Sequence, residues 1–296
     1  MQALWMVLGA FLFATMGVCI KFASTDFNSF EIVFYRGLVG AIFLIGLMRK
    51  RGVSLRTAVP MMHLWRSVVG VTALSSWFYS IGILPLATSM TLNYMSSVWI
   101  ATFLLGGAVI LQNRQTPIRR QGPLFLAVIS GFIGVAMMLR PTFTHEQMHG
   151  ALAGLASGIF AAFAYLQVAA LSKAGEPESR TVFYFSCGAV IVGAVGMLMV
   201  GAHTWRWPSA VWLIPIGLLA VLGQLCMTRA YSSGHTLVVA NLQYSGIVFA
   251  GIYSLTIFGD QLPLIGWAGM GLIIVSGITA TILRERAVPN APAEEH

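Results

Sequence analysis

The chain has 296 residues, of which 57% are hydrophobic and only 9% are charged, and its mean hydropathy is +0.82. So few charges cannot cover the surface of a soluble globular protein of this length, which excludes that class. The net charge of +8 does not indicate a nucleic-acid partner, because the sequence has no folded soluble domain that could carry a basic face.

Ten charge-poor apolar segments follow one another along the chain, and each has close to or more than the roughly 18 residues expected of a membrane-spanning helix. Because an unpaired backbone group is costly in lipid, we expect helices rather than open strands. The sequence therefore predicts an all-α membrane protein with ten transmembrane helices. The predicted spans are residues 3–20, 32–48, 67–84, 86–111, 122–139, 150–172, 181–202, 207–228, 236–259 and 262–283.

The basic residues divide unequally between the two sides of the membrane. If the N-terminus is cytoplasmic, 13 of the 17 Lys and Arg residues fall in inner connections, whereas only Lys21, Arg140 and Arg206 fall in outer ones. The positive-inside rule therefore predicts a multi-pass protein of the bacterial inner membrane, with both termini cytoplasmic and inner loops that contact anionic lipid. The inner set is Arg49, Lys50, Arg51, Arg56, Arg66, Arg114, Arg119, Arg120, Lys173, Arg180, Arg229, Arg284 and Arg286.

The chain also divides into two halves of five apolar segments each. The motif Leu-Asn-Tyr-Met-Ser-Ser-Val at 92–98 has a weak counterpart, Leu-Gln-Tyr-Ser-Gly-Ile-Val, at 242–248. An odd number of spans turns the second half upside down relative to the first, as in secondary transporters built from inverted repeats around a central cavity. We expect repeats at residues 1–141 and 149–284, followed by a disordered cytoplasmic tail at 285–296.

Polar and aromatic side chains inside the predicted spans are candidates for the cavity lining. Asn93, Tyr94 and Ser97 lie on one face of the fourth helix by their spacing, and the ninth helix repeats a similar face around Tyr244. Alternatively, such groups only form interhelical hydrogen bonds, worth about 0.6 kcal/mol each. The predicted substrate-binding set is Phe11, Tyr79, Asn93, Tyr94, Ser97, Trp99, Phe163, Gln224, Asn241, Tyr244 and Ser245.

Arg36 is the one full charge well inside a predicted span. Such a charge contacts a substrate carboxylate, acts at a gate or forms a structural pair, for which Glu31 is a candidate partner. We favour a gating or structural role. The predicted spans contain no Asp or Glu, so a proton-driven exporter of cations would lack its usual carboxylate. Facilitated diffusion or exchange is therefore the simpler mechanism.

Residues 145–149 read His-Glu-Gln-Met-His and match the zinc-metalloprotease pattern H-E-x-x-H. On a helix this spacing places two His side chains around zinc, with the Glu as general base. Catalysis needs a third ligand, which the predicted topology offers only in His203 or a few outer acidic residues. A membrane zinc metalloprotease is therefore a distant alternative. We interpret the stretch as a loop that enters the sixth helix, and expect no enzyme activity, metal or cofactor.

Taken together, the pattern resembles the drug/metabolite transporter superfamily, and specifically its EamA-type members with two five-helix repeats. The resemblance covers residues 3–284 and rests on Arg36-Gly37, Ala-Asn-Leu-Gln-Tyr at 240–244, Phe-Gly-Asp-Gln at 258–261 and the Gly-rich tenth helix. The family often has Pro where Ser97 and Ile247 stand, and Glu where Asp260 stands. Family-like kinks in the fourth and ninth helices would therefore have no Pro to produce them here.

The resemblance implies a bacterial exporter of amino acids, including aromatic or other apolar ones, that works by alternating access. Uncharged polar groups and aromatic rings are compatible with a zwitterion that must bind and then leave. A broad drug or metabolite exporter is the nearest alternative, and a membrane scaffold without transport activity is a remote one. The expected partners are amino acids or related small metabolites and membrane lipid, and we expect a monomer.

Overall fold

The computed structural model describes residues 4–96, 98–100, 102, 103, 123, 126, 127, 129–134, 137, 145–233, 242–261 and 263–287. These residues form helices joined by turns, and no strand occurs among them. The helices with defined bounds are α1 Leu4–Ala23, α2 Ser29–Arg51, α3 Pro60–Ile83, α4 Leu86–Tyr94, α5 His145–Lys173, α6 Glu178–Val200, the single turn α7 Trp207–Ala210, α8 Leu213–Ser233, α9 Ser245–Thr256 and α10 Leu264–Ala287. The described part of the predicted fifth span is also helical.

Several of these helices have the length and composition of membrane spans. Five described stretches qualify, namely Leu4–Ala23, Ser29–Arg51, Gln147–Lys173, Glu178–Val200 and Trp207–Ser232. Two shorter apolar helices, Ser245–Thr256 and Leu264–Thr279, follow them. The prediction of an all-helical membrane protein is therefore confirmed, while the predicted number of ten spans stays a prediction.

Three predicted boundaries need correction. Helix α3 begins at Pro60 rather than at residue 67, because proline is well suited to the first helical turn, so Arg66 lies inside a helix and not in a connection. Helix α5 begins at His145, so the stretch expected to be a loop is helical. Helix α10 continues to Ala287, so the first three residues of the predicted tail at 285–296 are helical.

The predicted fourth and ninth spans are interrupted close to their matched tyrosines. Helix α4 ends at Tyr94, and the Met95 amide donates to the carbonyls of Thr91 and Leu92 over 3.1 and 3.3 Å. Residues 98–100 are helical again. Tyr244 is likewise a turn between two helical stretches. A tightened turn can therefore interrupt the helix here without proline.

The helices pack in a pattern that repeats between the two halves of the chain. Helix α3 packs against α5, and α1 packs against α8. Helix α1 also contacts α9, and α4 contacts α5 in the same way. Helix α2 contacts α8, and α3 contacts α6 in the same way. Two further pairs, α2 with α6 and α4 with α9, also pack against each other, and all of these contacts join the first half of the chain to the second.

The closest contacts between helices occur at glycine residues. A Cβ atom at Gly37 would lie 2.8 Å from the carbonyl oxygen of Ser186, and one at Gly193 would lie 2.6 Å from the Phe34 nitrogen. Helices α2 and α6 therefore touch through their backbones, as small-residue interfaces in membranes allow. The same holds for α5 and α4, where a Cβ at Gly158 would lie 2.7 Å from the Leu92 oxygen.

Charged side chains at the α2–α3 end of the bundle form a connected cluster. Glu176 accepts hydrogen bonds from Thr57 over 2.8 Å and from Arg180 over 3.1 Å, and its carboxylate lies 3.1 Å from Nε2 of His63. Arg180 also donates to the Ser54 carbonyl over 2.9 Å. Burial raises the pKa of Glu176, but the three hydrogen-bond partners outweigh it, and the net pKa is lowered.

The opposite, α1–α2 end is also held by charged pairs. Glu31 completes a capping box with Asn28 and lies 2.9 Å from Nδ1 of His203. Lys21 donates to the Leu84 carbonyl over 3.0 Å and lies 3.8 Å from Asp260. Glu31 is therefore committed to a helix cap and to His203.

Candidate functional site

A cavity lies at the centre of the bundle, between α1, α2, α3, α4, α5, α6 and α8. Its free volume for water is about 50 Å³, enough for a few water molecules and too small for a metabolite. Most of the wall is apolar, and its main polar groups are Arg36, Arg66, Asn93, Tyr94, Tyr165 and Gln224. A solute larger than a few waters would enter only after helices or side chains move.

Two arginines dominate the electrostatics of this cavity. Arg36 on α2 and Arg66 on α3 are each only 3% exposed. Their guanidinium carbons lie 5.0 and 4.2 Å from the centre of the Phe185 ring. One aromatic side chain of α6 therefore forms cation–π contacts with both arginines. The cavity lining includes no carboxylate within the described residues.

Three nitrogen atoms of these guanidinium groups also lack hydrogen-bond partners among the described residues. Nε of Arg36, and Nε and Nη1 of Arg66, are buried and donate to no atom of the residues that the structure describes. A buried unpaired donor is costly, and a charged one more so. Glu31, the partner considered for Arg36, is bonded instead to Asn28 and His203.

Gly70 makes room for one of the two cations. A Cβ atom built at Gly70 would collide with Nη1 of Arg66 and would lie 2.9 Å from the Phe185 ring. The arginine side chain therefore folds along its own helix, over a position that has no side chain. This is a close approach that glycine permits and alanine would not.

Amide and phenol groups complete the polar part of the wall. The Asn93 amide donates to Ser157 over 3.0 Å, so its oxygen is the group that can accept from a solute. Gln243, buried beside the cavity, donates to the Tyr165 hydroxyl over 3.2 Å and accepts from Tyr231 over 3.1 Å. The Tyr94 hydroxyl has no hydrogen-bond partner in the described part of the chain.

Comparison with known proteins identifies the family. The family model for EamA-like transporters matches residues 1–140. The pseudopaline exporter CntI of Pseudomonas aeruginosa is 34% identical over 276 residues, which are 92% of this chain and 93% of that protein. The chain belongs to the EamA-like transporter family. It is a membrane transporter and not an enzyme, as the resemblance seen in the sequence implied.

More distant relatives within the family differ in their named activity. An uncharacterized transporter of Helicobacter pylori is 26% identical over 90% of this chain and 89% of its own length. An S-adenosylmethionine uptake transporter of Rickettsia bellii is 23% identical over 86% and 84%. A known crystal structure with 17% identity aligns with a TM-score of 0.66 over 96% of this chain and 98% of its own, which supports the fold.

Four of the residues singled out in the sequence come together in the cavity of this EamA-like transporter. Arg36, Asn93, Tyr94 and Gln224 all line it. Tyr244 is buried nearby, but its ring packs against Gly277 of α10 rather than lining the cavity.

Two further candidates lie off the cavity, and two cannot be placed. Ser245 donates to the Leu242 carbonyl over 2.7 Å, and Trp99 packs edge-on against Phe132 with ring centres 5.0 Å apart. Ser97 and Asn241 fall outside the described residues.

Three predicted residues face away from the cavity, which corrects their placement. Tyr79, Phe11 and Phe163 are 44%, 40% and 38% exposed on the surface of the bundle. Phe11 packs edge-on against Phe249, and Phe163 stacks on Phe103. The physical reason is that an aromatic ring is tolerated equally on a lipid-facing or an inward face, so residue type alone does not select the face.

Sequence reasoning missed Arg66, Tyr165 and Phe185. The predicted third span begins at residue 67, which places Arg66 in the preceding connection. The usable signal is Pro60, which places the helix start seven residues earlier and leaves Arg66 within the span. Tyr165 and Phe185 carried no signal that separates them from lipid-facing aromatics.

The zinc alternative gains no support. Among the described residues, no group of three or more His, Cys, Asp or Glu side chains could hold a metal ion. The side chains of His145 and Glu146 lie outside the described part. Family membership is what decides the question, since the family transports small molecules.

Proposed function

We propose that this protein exports amino acids and related small metabolites across the bacterial inner membrane, with both termini in the cytoplasm. The observation that carries the proposal is the central cavity, where two cations and several amide and phenol groups face one small space. Such a wall can bind a carboxylate, an amine and an apolar side chain together.

The repeated packing pattern supports two inverted repeats. If α1, α2, α3 and α4 correspond to α5, α6, α8 and α9, each contact described for the first set has its counterpart in the second. The pair α1 with α8 then corresponds to α5 with α3, while α2 with α6 and α4 with α9 correspond to themselves. This is the arrangement expected when two repeats enclose a site near the membrane midplane.

The lining residues suggest how a zwitterion would be held. Its carboxylate would accept hydrogen bonds from Arg36 or Arg66, whose guanidinium forks match a carboxylate in geometry. Its ammonium group would donate to the amide oxygens of Asn93 and Gln224, and its side chain would contact Trp77. Two buried cations oppose the binding of cationic drugs, which argues against the broad drug exporter.

Alternating access would proceed by opening one end of the bundle at a time. Opening the α2–α3 end would separate Glu176 from His63 and Thr57, and opening the α1–α2 end would separate Lys21 from Asp260. No carboxylate lines the described cavity to carry a proton, and arginine does not deprotonate in proteins. Facilitated diffusion along the substrate gradient is therefore the proposed mechanism.

Transport by the purified protein in proteoliposomes tests this proposal. Labelled amino acids loaded on one side should equilibrate across the membrane at the same rate with and without a pH gradient. A strict requirement for the gradient would defeat the facilitative mechanism. No flux of any amino acid or amino-acid derivative, by a protein that remains folded and monodisperse, would defeat the assignment itself.

A further inference from the structure

The cavity contains more positive charge than a simple amino acid can neutralise. Arg36 and Arg66 come from different helices, and the described lining offers neither of them a carboxylate. A neutral amino acid carries one carboxylate and one ammonium group, so it would leave both positive charges uncompensated overall. In a site of low dielectric constant, a ligand with a second carboxylate would reduce that imbalance and bind more tightly.

The geometry of the two cations suggests one ligand rather than two separate ones. Both guanidinium carbons lie within 5.0 Å of the centre of the same Phe185 ring. Attraction to the ring holds two groups of like charge near one another, although they repel. A small molecule with two acidic groups can therefore reach both cations at once.

We infer that Arg36 and Arg66 form a paired receptor for two carboxylates, and that the substrate is an amino-acid derivative with at least two carboxylate groups. The inference rests on the proposed function, because it names the substrate class of the same cavity. Each guanidinium would form a bidentate pair with one carboxylate. With the ammonium group of the ligand included, about one net positive charge would remain in the cavity, instead of the two that a neutral amino acid leaves. The amide oxygens of Asn93 and Gln224 would accept from the amine.

Gly70 acts as a positioning residue in this receptor. Its missing side chain leaves the space in which Nη1 of Arg66 lies against the Phe185 ring. A methyl group there would push the guanidinium away from its observed position while leaving the charge in the protein. Gly70→Ala therefore tests the position of the cation separately from its charge.

Binding measured on matched ligand pairs tests the inference. The ligands are glutamate, 2-aminoadipate and an N-carboxyalkyl amino acid, each compared with its monoamide in the purified protein and in proteoliposomes. Each diacid should bind at least about tenfold more tightly than its monoamide, as expected when a charged hydrogen-bonded pair is lost. Equal affinity for diacid and monoamide would overturn the inference.

Variants assign the preference to the two arginines. Arg36→Gln and Arg66→Gln should each reduce the diacid-to-monoamide ratio about tenfold, whereas a merely structural role would lower both affinities together. Arg206→Gln is the matched control, because it removes an arginine whose side chain is 67% exposed and which is not among the described lining residues. If a glutamine variant does not fold, Arg36→Lys, Arg66→Lys and Gly70→Ala give the same ratio test with the charge retained.

Further outcomes distinguish this inference from a preference for phosphate and from the proposed function alone. Inorganic phosphate and phosphoserine should compete weakly, and competition as strong as that of the diacids would overturn the carboxylate assignment. Flux of monocarboxylic amino acids without any preference for diacids would overturn this inference and leave the proposed function standing. Absence of binding and flux for every ligand would overturn both.

Discussion

The arginines at the ends of the bundle differ sharply from those at its centre. Arg180 is bonded to Glu176 and to the Ser54 carbonyl, and Arg206 lies 3.6 Å from Asp26. Arg36 and Arg66 are more deeply buried, and the described residues offer them only an aromatic ring. Among the described residues, these two end arginines are therefore paired with carboxylates, whereas the two central arginines are not.

The free energies of paired and unpaired charges show that the two buried arginines do not stabilise the fold. An exposed ion pair contributes about 0–1 kcal/mol, so the end pairs add modestly to the fold. An unpaired buried charge costs several kcal/mol. A fold selected for stability alone would have apolar residues at 36 and 66, which supports the proposal that these two arginines act in transport.

The largest expected effect is a loss of transport together with a gain in stability. Arg66→Met and Arg36→Met should reduce flux of the diacid by about 30-fold or more, because each removes a buried charged contact with the substrate. The same variants should raise the unfolding temperature, since replacing buried charge with apolar groups often stabilises by about 1–4 kcal/mol. Flux and thermal unfolding in detergent are the measurements. A methionine variant with a lowered unfolding temperature and normal flux would contradict this prediction, because the central arginine would then stabilise the fold and not serve transport.

The second effect concerns the position of the Arg66 cation. Gly70→Ala should lower diacid flux by about tenfold through a raised KM, because the guanidinium is displaced from the cavity. Gly271→Ala is the matched control, since no described atom lies within 4 Å of a Cβ at that position. Equal activity of the two alanine variants would show that Arg66 does not need its observed position.

The third effect separates the two matched tyrosines. Tyr94 lines the cavity, and its buried hydroxyl lies against α9, 2.6 Å from where a Cβ atom at Gly246 would stand. Tyr94→Phe removes that hydroxyl, and we expect flux to fall about fivefold, close to the value of one hydrogen bond. Tyr244→Phe changes a ring that lies outside the lining and should affect flux less. Folding is checked by thermal unfolding of both variants. An equal loss of flux would place both tyrosines at the substrate.

The smallest effect is at the α2–α3 end and depends on pH. Because the folded protein holds the pKa of Glu176 below its ordinary 4.5, this carboxylate stabilises the fold above that pH. The stabilisation disappears as the pH falls through the lowered value. Glu176→Gln should therefore cost about 1–2 kcal/mol near pH 7 and progressively less toward about pH 3. Glu178→Gln, which changes a carboxylate that accepts an exposed 3.2 Å hydrogen bond from Ser232, is the control. A cost that does not change with pH would show that the charge of Glu176 is unimportant.

Sequence patterns predicted the helical membrane fold, because long apolar runs have few other solutions in lipid. They also predicted that Asn93 and Tyr94 face the cavity, since both belong to the one polar face of a buried helix. They failed for Tyr79 and Arg66 for two different reasons. The face of an aromatic residue is decided by tertiary packing, and the burial of Arg66 depends on a helix start at Pro60 and on the space above Gly70.

Arg36 shows the limit of reading a charge without its surroundings. The sequence predicts a gating or structural role for Arg36 and offers Glu31 as a candidate partner. In the fold, Glu31 caps its own helix and binds His203, which leaves Arg36 to the cavity. Which partner Glu31 binds therefore decides whether Arg36, on the same helix, is paired.

Diacid flux into proteoliposomes, compared between the natural protein and a variant that carries both Arg36→Gln and Arg66→Gln, tests the central claim most directly. We predict that the natural protein transports the diacid faster than its monoamide without a pH gradient, and that the double variant loses this preference while remaining folded. A folded double variant that keeps the preference would contradict the account, because the two cations would then not be where the substrate binds.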